Sequence, residues 1–100
     1  MKEEVVRRIL ESARRRAATE DYRFDFITAI ELEKFIRTGI NRLSDHQLRS
    51  ETTTQEAQRN IADLIDLMTE NAHSRRITES LDISALTASL RGFCPRFPFC

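Results

Sequence analysis

Residues that break regular structure are almost missing from this chain. Its 100 residues include two glycines, Gly39 and Gly92, and two prolines, the first of which is Pro95. A fold of many short strands needs a tight turn after each strand, and Gly and Pro are the residues that form such turns most readily. Their scarcity favours long helices over a turn-rich β fold. Composition agrees, with 40% hydrophobic and 32% charged residues, enough apolar material for a core and too much for a disordered chain. A chain of this length is one domain, and its core is thin.

Apolar positions recur at helical spacing along most of the chain. In KEEVVRRILESARRRAATED, residues Val5, Val6, Ile9, Leu10, Ala13 and Ala17 form one stripe, which predicts an amphipathic helix over about 2–18. Glu3 and Glu4 open it and Arg14 to Arg16 close it, the order that a helix dipole favours. Tyr22, Phe24 and Phe26 alternate as a strand does, but no second strand pattern is present to pair with them, so a connection is expected there. Thr28 with Glu31 reads as a capping box, and Asp25 is a competing cap. Phe26, Ile27, Ala29, Ile30, Leu32, Phe35 and Ile36 surround the next helix with apolar side chains, which predicts the most buried helix of the fold, stopped at Gly39.

Ser44 with Gln47 marks a second capping box, and Ile40, Leu43 and Leu48 anchor a short helix. The run 50–54 reads as a break, after which Thr53 with Glu56 opens the longest helix. Its stripe is Ala57, Ile61, Leu64, Ile65, Met68 and Ala72, with Ile77 and Leu81 as an extension. About 25 residues at roughly 1.5 Å each would span nearly 40 Å, long enough to call for a kink near 71–74 or for cover from a second subunit. In LDISALTASLRG, Asp82 caps a last helix, Ile83, Leu86 and Leu90 face one way, and Gly92 ends it. Phe93 then stands where a Schellman cap places its apolar contact, with Pro95 as a stop. No internal repeat is apparent.

The tail FCPRFPFC concentrates three Phe, both Pro and both Cys. His46, His73, Cys94 and Cys100 have the ligand types of a zinc site, but five residues separate the cysteines, wider than zinc pairs use. Neither cysteine opens a helix in a CxxC pair, so dithiol chemistry is disfavoured. A Cys94–Cys100 disulfide would close a short loop and stabilise little. A Cys nucleophile with a His base lacks any accompanying oxyanion motif. Both thiols then read as small apolar groups. No glycine-rich phosphate loop, HExxH, GxSxG or EF-hand loop occurs. Asp63, Asp66 and Glu70 share a helix face and read as solvated.

Formal net charge is zero, which excludes a global field drawing the chain to nucleic acid. Arg7, Arg8, Arg14 and Arg15 lie outside the apolar stripe of the first helix, where they suit a phosphate backbone, but Glu3, Glu4 and Glu11 dilute them. Membrane-surface binding by that helix is disfavoured by its lack of aromatics. No stretch approaches the roughly 18 apolar residues of a membrane span. MKEEVVRRILES has no secretory character, so a cytoplasmic location is expected, with reduced thiols.

The expected architecture is all-α: a small four- to five-helix bundle or irregular helical domain over 1–92. An extended Phe/Pro/Cys-rich tail over 93–100 would pack on the domain or on a partner. The expected function is non-enzymatic, protein–protein interaction or self-association as a homodimer. The alternative is a small regulator binding zinc or nucleic acid. No catalytic, cofactor-binding or metal residue is assigned, and no cofactor or small-molecule substrate. The interaction candidates are Ile61, Leu64, Ile65 and Met68 for self-association, and Phe93, Phe97 and Phe99 for the tail. Rows of phenylalanine at a chain end must cover something.

Overall fold

The first apolar stripe becomes helix α1, Lys2–Thr19, which buries Val5, Val6, Ile9, Leu10, Ala13 and Ala17. The structure is a computed structural model, and it describes residues 1–93. Beyond α1 the backbone turns through Asp21, whose φ of 61° is left-handed, a conformation Asp tolerates better than most residues. The amides of Glu20 and Tyr22 bond back to the Ala17 carbonyl, closing the turn at 3.0 Å each.

Tyr22 is then buried, and Arg23–Phe24 forms strand β1. Its partner is strand β2, Ser80–Leu81, in a parallel ladder with Arg23 opposite Ser80 and Phe24 opposite Leu81. The expected connection thus contains a two-residue strand, Arg23–Phe24, before Asp25 caps the next helix. Two residues on the partner side are too few to leave an alternating pattern, which hides the pairing from the sequence.

Helix α2, Phe26–Asn41, is capped by Asp25, whose carboxylate accepts the Thr28 amide at 2.6 Å. The expected cap at Thr28 is thus replaced by its competitor. Nor is α2 the most buried helix. One face, carrying Thr28, Leu32, Ile36, Gly39 and Ile40, is buried, while Phe26, Ile27 and Ile30 are exposed. Gly39 does not stop the helix: no described glycine has a positive φ, and α2 continues to Asn41.

Helix α3, Asp45–Arg49, opens with the expected capping box, Ser44 Oγ accepting the Gln47 amide and Gln47 Oε1 accepting the Ser44 amide. Helix α4, Glu51–Ser74, follows at once. The expected break over 50–54 shrinks to Ser50, whose extended backbone ends α3 and whose hydroxyl caps α4. Helix α4 buries Ala57, Ile61, Leu64, Ile65, Met68 and Ala72. It ends at Ser74, and Arg76, with φ of 61°, reverses the chain, so Ile77 and Leu81 do not prolong the helix. The Ile77 amide bonds back to the Ala72 carbonyl at 2.8 Å.

Helix α5, Ile83–Phe93, is capped as expected by Asp82, which accepts the Ala85 amide at 2.9 Å. It runs through Gly92, so the expected stop there falls inside the helix. Phe93 is buried as a helical residue of α5. Leu86 is buried and Leu90 partly buried, but Ile83 is exposed.

The described residues thus form an all-α fold of five helices with one minimal ladder. Helix α1 packs on α2 and α4, and α5 packs on α4 and α2, around one apolar core. The length of α4 needs no second subunit, because α1 and α5 cover its stripe. Two like halves emerge, α1–β1–α2 and α4–β2–α5. Each has a left-handed residue after its first helix, then a strand, then an Asp cap and a second helix. This structural repeat rests on so few shared residues, Phe24-Asp25-Phe26 against Leu81-Asp82-Ile83, that no sequence period reveals it.

Candidate functional site

The parallel ladder decides what lies at the surface beside it. Phe24 stands opposite Leu81, and the Asp25 amide donates to the Leu81 carbonyl at 3.1 Å. One residue further on, Asp25 and Asp82 cap their helices. The next residues, Phe26 and Ile83, therefore open α2 and α5 side by side. Both face solvent. Phe26 is 81% exposed, Ile27 60%, Ile30 37% and Ile83 36%. Helical spacing puts Phe26 and Ile30 in one row of α2, with Ile27 beside them.

A groove of about 290 Å³ lies between α2 and α5 and reaches Ile83. Phe35, Ile83, Leu86 and Leu90 supply its apolar lining, and Glu31 and Lys34 stand at its edge. Glu31 and Lys34 form an exposed ion pair at 3.4 Å. The groove is apolar along its floor and polar at its edge, as protein contacts are.

The residues expected to carry self-association lie elsewhere. Ile61, Leu64, Ile65 and Met68 are fully buried in the chain's own core, against α1 and α5. None of them is available at the surface of the folded chain. Phe93 is buried as well, and Phe97, Phe99, Cys94 and Cys100 lie outside the described residues. The surface residues of the patch were hidden from sequence reasoning because Phe26, Ile27 and Ile30 resemble core residues in composition. Only the direction of the buried face distinguishes them.

A second, more polar groove of about 720 Å³ runs along α1 and α4, lined by Glu20, Asp63, Glu70, His73 and Phe93 among others. Across it Arg16 grips Asp66 through two hydrogen bonds of 2.9 and 3.0 Å. The bond to Asp66, followed by the carboxylate's charge, raises the Arg16 pKa above its ordinary value. A raised pKa adds stability at every pH below the unfolded value and loses it only as pH climbs through the folded one. For arginine that window lies in strong alkali, so the pair does not respond near neutrality through Arg16. Arg37, bonded to Glu3 of α1, is shifted upward for the same reason and links α2 to α1.

Glu70-x-x-His73 has the spacing of carboxylate-bridged metal bundles, but no three His, Cys, Asp or Glu among the described residues converge on a metal-sized site. His73 instead packs edge-on against Tyr22, whose hydroxyl donates to the Ile77 carbonyl at 2.9 Å and lies 3.3 Å from His73 Nδ1. His46 is exposed on α3, at the other end of α4. Arg7, Arg8, Arg14 and Arg15 are exposed on α1, Arg8 beside Glu4 at 3.9 Å. No helix among the described residues is long and apolar enough to cross a membrane. No protein-family model, curated protein or solved structure matches the chain.

Proposed function

We propose that this chain is a protein-binding module without a catalytic step of its own, and that its contact surface is the apolar patch where α2 and α5 begin. The supporting observation is the exposure of Phe26, Ile27, Ile30 and Ile83 together, on two helices fixed side by side by the ladder. Single exposed apolar residues are ordinary, but large ones gathered at one place are a mark of interaction sites. Phe26 is the natural anchor, since aromatic side chains dominate binding when a partner desolvates them. The helical backbone beneath is already formed, which limits the ordering cost of binding. A cytoplasmic location belongs to the same proposal.

A photo-crosslinking residue in place of Ile27 tests this reading. Protein adducts are expected in cell extract, and they should be lost when Phe26→Glu is added. A crosslinker replacing Arg59, exposed on α4, serves as the control. Adducts of equal yield from both positions, or none from position 27, would remove the proposal.

A further inference from the structure

We infer that the polar groove between α1 and α4 is the seat of this chain's own segment 94–100, with Arg96 against Asp63 and Phe97 and Phe99 over Leu67. This goes beyond the protein-binding reading and concerns a different face, since the two grooves share no lining residue. The path of the chain leads there. Helix α5 runs antiparallel to α4: Asn71 bonds Ser89 at 2.8 Å, and four residues further along α5 Phe93 lines the groove together with Leu67, four residues back along α4. The chain thus leaves α5 in this groove, heading down α4 toward Asp63 and Asn60. Leu67, Asp63 and Asn60 stand in one row of α4, three and four residues apart. Asn60 lies two turns before Leu67, about 10 Å along the helix at roughly 1.5 Å per residue. The segment 94–100 can extend over about 23 Å, more than enough to run along that row. Pro95 disfavours helical backbone at Cys94, so the segment suits a course along the groove better than a prolonged α5.

The chemistry agrees with the path. Arg16 and Asp66 satisfy each other across the groove. Glu20, Asp63 and Glu70 also line it, and none of them has an ion pair among the described residues. The nearest bases do not offset these acids. Arg59, one turn before Asp63, forms no ion pair among the described residues, and Arg75 and Arg91 line a separate groove with Ile83. The segment carries one charged side chain, Arg96, and it is basic. Arg96 stands three residues past Phe93, and Asp63 four residues before Leu67, so the two charges reach the same level. Phe97 and Phe99 then cover Leu67, which is only partly buried. An attached segment meets its groove at an effective concentration on the order of millimolar, an advantage that a separate partner lacks. So held, the segment straps α5 to the α1–α4 face and leaves the Phe26 patch clear.

A nitroxide on Cys100 tests this seat, in the full chain with Cys94→Ser so that one thiol reacts. The amide signals of Asn60, Asp63 and Leu67 should broaden more than those of Thr38 and Thr87, which line the groove between α2 and α5. Arg96→Glu should reduce that preference about twofold or more, the scale of a surface ion pair. Adding Asp63→Arg should restore it by forming the pair with its signs exchanged. Asp63 is exposed, so the exchange should leave the helical circular dichroism unchanged.

Broadening that favours Thr38 and Thr87, or that is uniform, overturns the inference. So does a preference that ignores Arg96→Glu or that the exchanged pair fails to restore. A mixture of nitroxide-bearing chain with isotope-labelled chain lacking the nitroxide separates the chain's own segment from a second copy's. No preferential broadening at Asp63 is expected in that mixture. Its appearance would put the segment of another copy in the groove and overturn the inference.

Discussion

Thr28 shows how tightly one residue can be bound by conflicting demands. Its amide donates to Asp25 and fixes the start of α2, while its side chain is buried. Among the described residues, its hydroxyl is the buried side-chain oxygen without a hydrogen-bond partner. The other buried hydroxyls are engaged: Ser89 accepts from Asn71 at 2.8 Å, and Thr69 donates to the Asp66 carbonyl at 2.8 Å. An unpaired buried hydroxyl costs about 1–3 kcal/mol. Valine keeps the branched shape and the backbone amide but removes the oxygen. Thr28→Val should therefore raise stability by about 1 kcal/mol, read as a higher urea midpoint with an unchanged slope. A lower midpoint would show that the hydroxyl is satisfied.

Helix α4 is the element on which the core is assembled. Its stripe meets α1 on one side and α5 on the other, which leaves no part of Ile61, Leu64, Ile65 or Met68 at the surface. Substitution there should act on folding. Leu64→Ala should cost about 2–5 kcal/mol by cavity formation, a large share of the roughly 5–15 kcal/mol available to a domain of this size. Chemical denaturation checks this, and a loss under about 1 kcal/mol would mean that Leu64 is not packed as described. Phe26→Glu should behave in the opposite way and leave the denaturation midpoint nearly unchanged, because that side chain is exposed.

At the scale of the molecule, the two helix–strand–helix halves share one core and one ladder. Tyr22, the chain's only tyrosine, sits at their junction, packed against His73 and bonded to the Ile77 carbonyl beyond α4. With no tryptophan present, its fluorescence reports that junction alone. If the halves fold as one unit, tyrosine fluorescence and far-ultraviolet circular dichroism should give the same denaturation midpoint. An earlier fluorescence transition would mean that the junction opens while the helices persist. The measurement belongs at one fixed, low protein concentration, since any association would add to apparent stability.

Much of the helical plan is legible in the residues alone. The stripes of α1 and α4, the Ser44–Gln47 box and the Asp82 cap follow from local spacing, because helical side chains three and four residues apart share a face whatever lies around them. The sequence by itself therefore determined the all-α class and most helix starts. Helix ends were less legible: Gly39 and Gly92 continue their helices, since glycine permits a stop without requiring one. Only the tertiary structure decided the rest. It brought Arg23–Phe24 against Ser80–Leu81 across more than half the chain, a pairing that two-residue strands cannot announce. It also chose which side of the apolar α2 faces inward. Leu32, Ile36 and Ile40 meet the core, and Phe26, Ile27 and Ile30 are left outside. Apolar composition records how much surface a helix offers for burial. Which part is buried depends on where its neighbours stand, and those positions are set by long-range packing.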